Sequence, residues 1–271
     1  MLALVLQVSP HEITEAEELV ALLTDLESVS RKDCEFFLFV RRDVEQSDRR
    51  RIGDRIATKF AKNKVIECWD FATGWPHGSN TMWCSLIRQL FHMRRMDEVA
   101  SDGFLSFETD CIPIKTNWIE LLSKVWNEAK ADGKEAIGHF HPDSKNPTHL
   151  NGNAIFVINF WERHQELLGS HGMEPWDVAF ARTILPLAMD TPCINQWYRL
   201  QEFNLGYWNE IAKTPCVFFH GVKHPDGRRI ARQQLLGPWP TDHQPRQEIE
   251  MPTSAKRSKA SKAKSVRSTA K

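Results

Sequence analysis

The chain predicts an α/β fold: a wound, mostly parallel sheet flanked by helices, an irregular C-terminal half and a disordered basic tail. Three observations predict it. Up to residue 107, short apolar runs alternate with stretches of helical spacing, in the order strand–helix–strand–helix–strand–loop–helix–strand. That order favours parallel pairing through right-handed crossovers. Beyond residue 135 the alternation gives way to short strands separated by a Pro/His/Asn-rich loop. Residues 252–271 then carry seven Lys/Arg, no acid and almost no large apolar side chain.

Taken in order, Leu2–Val8 is the first strand, ended by Ser9-Pro10. Glu15–Glu27 has helical spacing through Leu19, Leu22, Leu23 and Leu26, with acids in its first turn. Cys34–Val40 is apolar throughout except at Glu35, which suits a strand buried on both faces. Ser47–Phe60 is a basic helix with Ile52, Ile56 and Phe60 on one stripe, and Lys64–Trp69 is the third strand. A loop over residues 70–80 opens a helix through Trp83, Leu86, Ile87, Leu90 and Phe91. The Phe104–Phe107 strand follows, and Cys111 to Ile114 reads as a short connection into a helix beginning near Asn117. Later strands are expected at Ala136–His141, Ala154–Phe160 and Cys216–Phe219, with helices over 161–168 and 176–188.

The 271 residues, 41% of them hydrophobic and 26% charged, are enough to bury one α/β core. A single domain over 1–250, with a tail over 251–271, is the expected organisation. No apolar stretch approaches the roughly 20 residues that span a bilayer, and Leu2–Leu6 lacks the basic flank of a leader. The six cysteines are scattered without a Cys-x-x-Cys pair, which argues against a zinc ribbon and fits a reducing cytoplasm. A formal net charge of zero hides an asymmetry: without the tail, 28 basic residues face 35 acidic ones, so a body of −7 carries a tail of +7. The tail cannot offset its ordering entropy by burial. It can track the phosphates of a nucleic acid such as DNA, or serve as a solubility segment, or contact the acidic body.

Glu108-Thr109-Asp110 closes the apolar run Gly103–Phe107. On a strand, positions 108 and 110 project from one face, and two carboxylates at a strand end can hold a hard divalent cation. Strand ends are also where ligands collect in open α/β sheets; the ordinary alternative is a solvated turn. Gly74-Trp75-Pro76-His77-Gly78-Ser79-Asn80 combines glycines with a helix N-cap at Ser79 or Asn80, read either as an anion-binding helix start or as a capped turn. His139-Phe140-His141 has the spacing of a two-histidine site but lacks a matching third ligand. Asn151-Gly152-Asn153 is a tight turn or an amide surface for polyhydroxyl groups. Asp177, after Glu174-Pro175-Trp176, is a helix cap or a base. Phe219-His220-Gly221-Val222-Lys223 puts an imidazole and an ammonium three residues apart at a strand end, a cation ligand and a phosphate partner.

The ordered set of these elements over roughly residues 1–230 resembles a GT-A-fold glycosyltransferase. In that superfamily an Asp-x-Asp motif holds Mn²⁺ or Mg²⁺ against the diphosphate of a nucleotide sugar. The resemblance makes Asp110 the direct metal ligand and puts Glu108, in place of the first Asp, on metal or ribose. It makes His220 a further metal ligand and sets Lys223 on the leaving diphosphate, although the His220–Lys223 spacing is shorter than in glycogenin-like members. It implies that Val8, Ser9 and Pro10 line the nucleotide base, that Gly78 and Asn80 sit by the donor sugar, and that Glu174 or Asp177 faces the acceptor as catalytic carboxylate.

A compact transferase with a basic tail is similar to phage-type enzymes that glycosylate hydroxymethylated pyrimidines in DNA, which would place it in a host cytoplasm. A glycan, protein or small-molecule acceptor stands beside that reading. Two other classes compete: a metal-dependent nuclease or nucleotidyltransferase using Glu108 and Asp110, and a non-enzymatic nucleic-acid-binding module.

Overall fold

The computed structural model describes residues 1–141, 148–168, 174–196 and 203–237, all within one compact unit. The tail expected to be disordered, residues 251–271, lies outside the described residues. Among those described, no helix is long and apolar enough to cross a membrane.

The first half follows the expected order. Strand β1 (Leu2–Val8) leads through a 3₁₀ turn, Pro10–Glu12, into α1 (Ile13–Leu26). Then come β2 (Arg31–Val40), α2 (Gln46–Ala57), β3 (Phe60–Glu67), α3 (His77–Arg95) and β4 (Gly103–Phe107). The second half adds β5 (Cys111–Pro113), α4 (Trp118–Ala131), β6 (Ala136–Gly138), β7 (Phe140–His141), β8 (His149–Leu150) and β9 (Ala154–Val157). It ends with α5 (Phe160–Leu168), α6 (Trp176–Ala179), α7 (Ala181–Ile184), β10 (Ala188–Asp190), β11 (Ile194–Gln196), α8 (Leu205–Ala212), β12 (Phe218–His220) and α9 (Pro225–Leu236).

Seven strands form the main sheet in the order β10-β6-β9-β4-β1-β2-β3. All pairs are parallel except the two that β9 makes with β4 and β6. The continuous apolar runs of β1 and β2 are explained by burial on both faces. Leu4, Leu6, Phe36 and Leu38 pack towards α1, α2 and α4, while Ala3, Val5, Phe37 and Phe39 pack towards α3. Glu35, the one charge in that run, is buried and receives hydrogen bonds from Ala100 N, Ser101 N and Ser101 Oγ. It ties β2 to the segment entering β4.

Several expectations need correction. The connection over 111–117 contains a strand: β5 joins a second sheet in the order β11-β12-β5. The single helix expected over 176–188 is broken into α6, α7 and a 3₁₀ turn, and ends as strand β10. Pro186 sits in that turn, where an α-helix would need its missing N–H. The basic helix stops at Ala57, so Phe60 opens β3 instead of closing α2. The strand at 154 ends at Val157, and Phe160 starts α5. Helix α3 begins at His77, ahead of the expected caps Ser79 and Asn80.

Two pairings position the site. β1 and β4 are adjacent and in register at Leu6 and Phe107, so the segments leaving both strands emerge side by side. β12 runs antiparallel to β5 with His220 opposite Cys111, which carries His220 to the turn just before Cys111.

Candidate functional site

Strand β4 stops at Phe107, and residues 108–110 form a turn closed by Cys111 N on Glu108 O at 3.2 Å. The two acids therefore meet through a turn, not through the strand alternation expected. Four neighbouring residues hold that turn. Asn153 Oδ1 accepts from Glu108 N at 2.9 Å, and Thr109 Oγ1 donates to Glu12 Oε1 at 3.2 Å. Gly221 N and Val222 N both donate to Asp110 O, at 3.1 and 2.8 Å. Gly221 has φ +103°, a backbone conformation that side chains disfavour, so a glycine follows His220 for a geometric reason.

Glu108, Asp110 and His220 can each present a ligand atom within 4.8 Å of the others. His220 Nε2 lies 3.2 Å from Asp110 Oδ1 and 3.5 Å from Glu108 Oε2. Burial alone would push the His220 imidazole down, but the close contacts and charge of the two carboxylates push it up to about 10. Burial alone would raise Asp110; the close contact and charge of His220, with the Lys223 charge, hold it below the usual carboxylate value. Asp110 Oδ1 is buried and off the hydrogen-bonding direction of the His220 ring, so it makes no aligned hydrogen bond. Two carboxylates and one imidazole, one oxygen of them buried without an aligned donor, fit a divalent cation of the Mn²⁺ or Mg²⁺ type.

The cluster borders a cavity of about 510 Å³, within the usual range for small-molecule sites. Ser9, Gly78, Glu108, Asp110 and Lys223 line it, as do Glu12, Arg41, Trp75, Gly152, Trp176 and Arg228. Trp176 stacks on Trp83 with centroids 3.5 Å apart and planes within 6°. A Cβ on Gly152 would come within 3.0 Å of the Trp176 ring, so the glycine allows that close approach.

Other residues singled out in the sequence sit elsewhere. The Val8 side chain is fully buried in the core, and Pro10 opens the 3₁₀ turn without lining the cavity. Asn80 is fully buried: its Nδ2 donates to Glu174 O and its Oδ1 accepts from Trp176 N, each at 2.8 Å. Its amide thus joins α3 to the start of α6. The Glu174 side chain is exposed, contributing its backbone oxygen to that clamp. Asn151 and Asn153 are buried, and the amide of Asn153 is spent inside the protein rather than on a polyhydroxyl surface. Asp177 is neither N-cap nor exposed; Oδ1 accepts from Val178 N and Oδ2 lies 3.9 Å from buried His149 Nε2. Burial raises its pKa, and the Glu108 charge adds to the shift while His149 opposes it. His141 packs edge-on against His149, and among the described residues neither His139 nor His141 belongs to a three-ligand cluster.

Glu12, Thr109 and His149 were not singled out from the sequence. A signal for Glu12 existed, because Ser9-x-x-Glu12 has capping-box spacing. Its Oε2 indeed accepts from Ser9 N at 3.1 Å.

No protein-family model matches the chain, and no curated protein matches it in sequence. Solved structures do match its fold. The galactosyltransferase LgtC, solved with donor and acceptor sugar analogues, is similar with a TM-score of 0.54 at 10% identity, over 89% of this chain and 98% of that one. An active-site mutant of LgtC gives 0.55 at 8% identity over the same shares. The bifunctional glycosyltransferase WbbM gives 0.52 at 10% identity, over 82% of this chain and 46% of that one. The fold is that of these glycosyltransferases. It is the GT-A arrangement that the sequence led us to expect: a mostly parallel seven-stranded sheet flanked by helices.

Proposed function

We propose that the chain is a metal-dependent glycosyltransferase that moves a sugar from a nucleotide-diphosphate sugar to an acceptor hydroxyl. The observation that carries this reading is the meeting of Glu108 and Asp110 with His220 beside a cavity also lined by Ser9 and Lys223, in a fold shared with glycosyltransferases. Glu108, Asp110 and His220 would hold Mn²⁺ or Mg²⁺, and such a cation supplies charge stabilisation for a departing diphosphate.

This chain's own groups account for the remaining steps. Lys223 lines the cavity, and its ammonium would neutralise phosphate oxygens as negative charge grows on the leaving group. Ser9, at the end of β1, receives the nucleoside, and Gly78 leaves room for the donor sugar. The buried Asp177 carboxylate, with His149 behind it, accepts the acceptor hydroxyl's proton in an inverting transfer. Glu174 contributes its backbone to the wall that holds Asp177, a smaller role than a catalytic acid.

A nuclease or nucleotidyltransferase fits less well, because two-metal sites draw on more carboxylates than the Glu108–Asp110–His220 cluster offers among the described residues. A DNA acceptor draws its support from the charge of residues 252–271 alone. The deciding experiment is a panel of nucleotide sugars with Mn²⁺, read by mass spectrometry for donor hydrolysis and transfer to glycan, peptide and hydroxymethylated DNA acceptors. Donor turnover supports the reading. Plasmid cleavage without turnover of any nucleotide sugar refutes it.

A further inference from the structure

The segment after β1 and the acidic turn after β4 meet at one carboxylate. Glu12 closes the 3₁₀ turn, and its Oε2 accepts from Ser9 N at 3.1 Å and from Ser9 Oγ at 2.5 Å. Its Oε1 accepts from Thr109 Oγ1 at 3.2 Å, across 97 positions of sequence. Thr109 is buried and lies between the two acids of the candidate cation site. Burial raises the Glu12 pKa above the usual value, and the Ser9 and Thr109 bonds oppose that shift. A carboxylate held inside a cavity wall against that cost is expected to make its donors rigid. A helix cap needs only the Ser9 N–H; the second oxygen, turned to Thr109, does something more.

We propose that Glu12 is a positioning residue that couples the nucleoside end of the site, at Ser9, to the cation end, at Glu108–Asp110. The inference rests on the donor-site reading above. Ordering either end orders the other through one side chain, so cation and nucleotide strengthen each other's binding, and by linkage they do so reciprocally. The coupling is additional to any direct contact between cation and phosphate.

The test is calorimetric titration of the full chain with UDP, GDP, ADP and CDP, in Mn²⁺ and in EDTA. The variants are Glu12→Gln, Thr109→Val, Thr109→Ser and the Glu12→Gln/Thr109→Val double. Each of Glu12→Gln and Thr109→Val is expected to weaken Mn²⁺-dependent binding of the preferred diphosphate by about tenfold, the scale of one hydrogen bond to a charged group. The double variant should be no weaker than Glu12→Gln, and Thr109→Ser should restore wild-type binding. In EDTA, Glu12→Gln should still weaken binding, through the freed Ser9, while Thr109→Val should not. Melting curves check the fold, and the Thr109→Val and Thr109→Ser pair carries the test if Glu12→Gln does not fold. Wild-type metal dependence in both Glu12→Gln and Thr109→Val, or additive losses in the double, would overturn the coupling. A wild-type chain that binds none of the diphosphates in Mn²⁺ would instead refute the donor-site reading itself.

Discussion

Asn153 Oδ1 accepts the backbone N–H of Glu108 at 2.9 Å, so an amide at the start of β9 fixes the acidic turn at the end of β4. Both residues flank the antiparallel β4–β9 pair, and the bond extends that pairing past its last ladder position at Ser106 and Ala154. Replacing Asn153 by Ala leaves the N–H without its acceptor. We expect a loss of about 1–3 kcal/mol in stability, together with weaker Mn²⁺-dependent nucleotide binding. Denaturant unfolding and calorimetry measure the two effects.

Glu35 makes a separate prediction about the scaffold. Its buried carboxylate takes the backbone N–H groups of Ala100 and Ser101 and the Ser101 hydroxyl. Glu35→Ala leaves those donors, the buried Ser101 pair above all, without their acceptor and should cost about 1–3 kcal/mol, the range for buried donors left unsatisfied. Urea unfolding would check it, and a cost below about 1 kcal/mol would contradict the role assigned here.

Asp177 should leave a mark on pH dependence. Burial raises its pKa, so the folded state favours the protonated acid. Stability should therefore fall as pH rises from the ordinary carboxylate value, about 4, through the raised one. Asp177→Asn should remove that fall. A base must be ionised to accept a proton, so the transfer rate should rise over the same raised window. Asp177→Asn should lower kcat by about 10²–10⁴-fold and leave diphosphate affinity near wild type. An unchanged kcat would remove Asp177 from the chemistry.

The tail can be tested alone. Deleting residues 252–271 removes seven cationic side chains. Phosphate contacts set the salt slope of DNA binding, so truncation should weaken DNA affinity and flatten its salt dependence, with nucleotide-sugar affinity unchanged. The acceptor KM should change more than kcat, because uniform binding is lost. Equal transfer to DNA by full and truncated chains at low and moderate salt would remove the support for a DNA acceptor.

The sequence was most legible where burial left a local pattern. β1, β2 and β4 read directly because each is apolar over consecutive positions, and the acid pair at the end of β4 stands out against that run. The cores of α1 and α3 follow from their helical spacing. What was hidden depends on long-range pairing. Nothing local marks Cys111–Pro113 as a strand, because its partner is β12, more than a hundred residues later. The same pairing brings His220 to Asp110. Asn80 and Asn153 carry polar amides that the sequence assigns to a ligand site or to an ordinary cap or turn; the structure instead buries both as internal clamps. Glu12 shows the opposite case: its capping-box spacing was visible, but its bond to Thr109 required the adjacency of β1 and β4.

The proposed function stands on Asp110 belonging to a cation site that binds a nucleotide diphosphate. Its most direct test is calorimetric titration of wild type and Asp110→Ala with the preferred nucleoside diphosphate, with and without Mn²⁺. Mn²⁺ should strengthen binding to wild type, and Asp110→Ala should abolish the metal effect while retaining the fold. Equal, undiminished Mn²⁺-dependent affinity in the two proteins would contradict it.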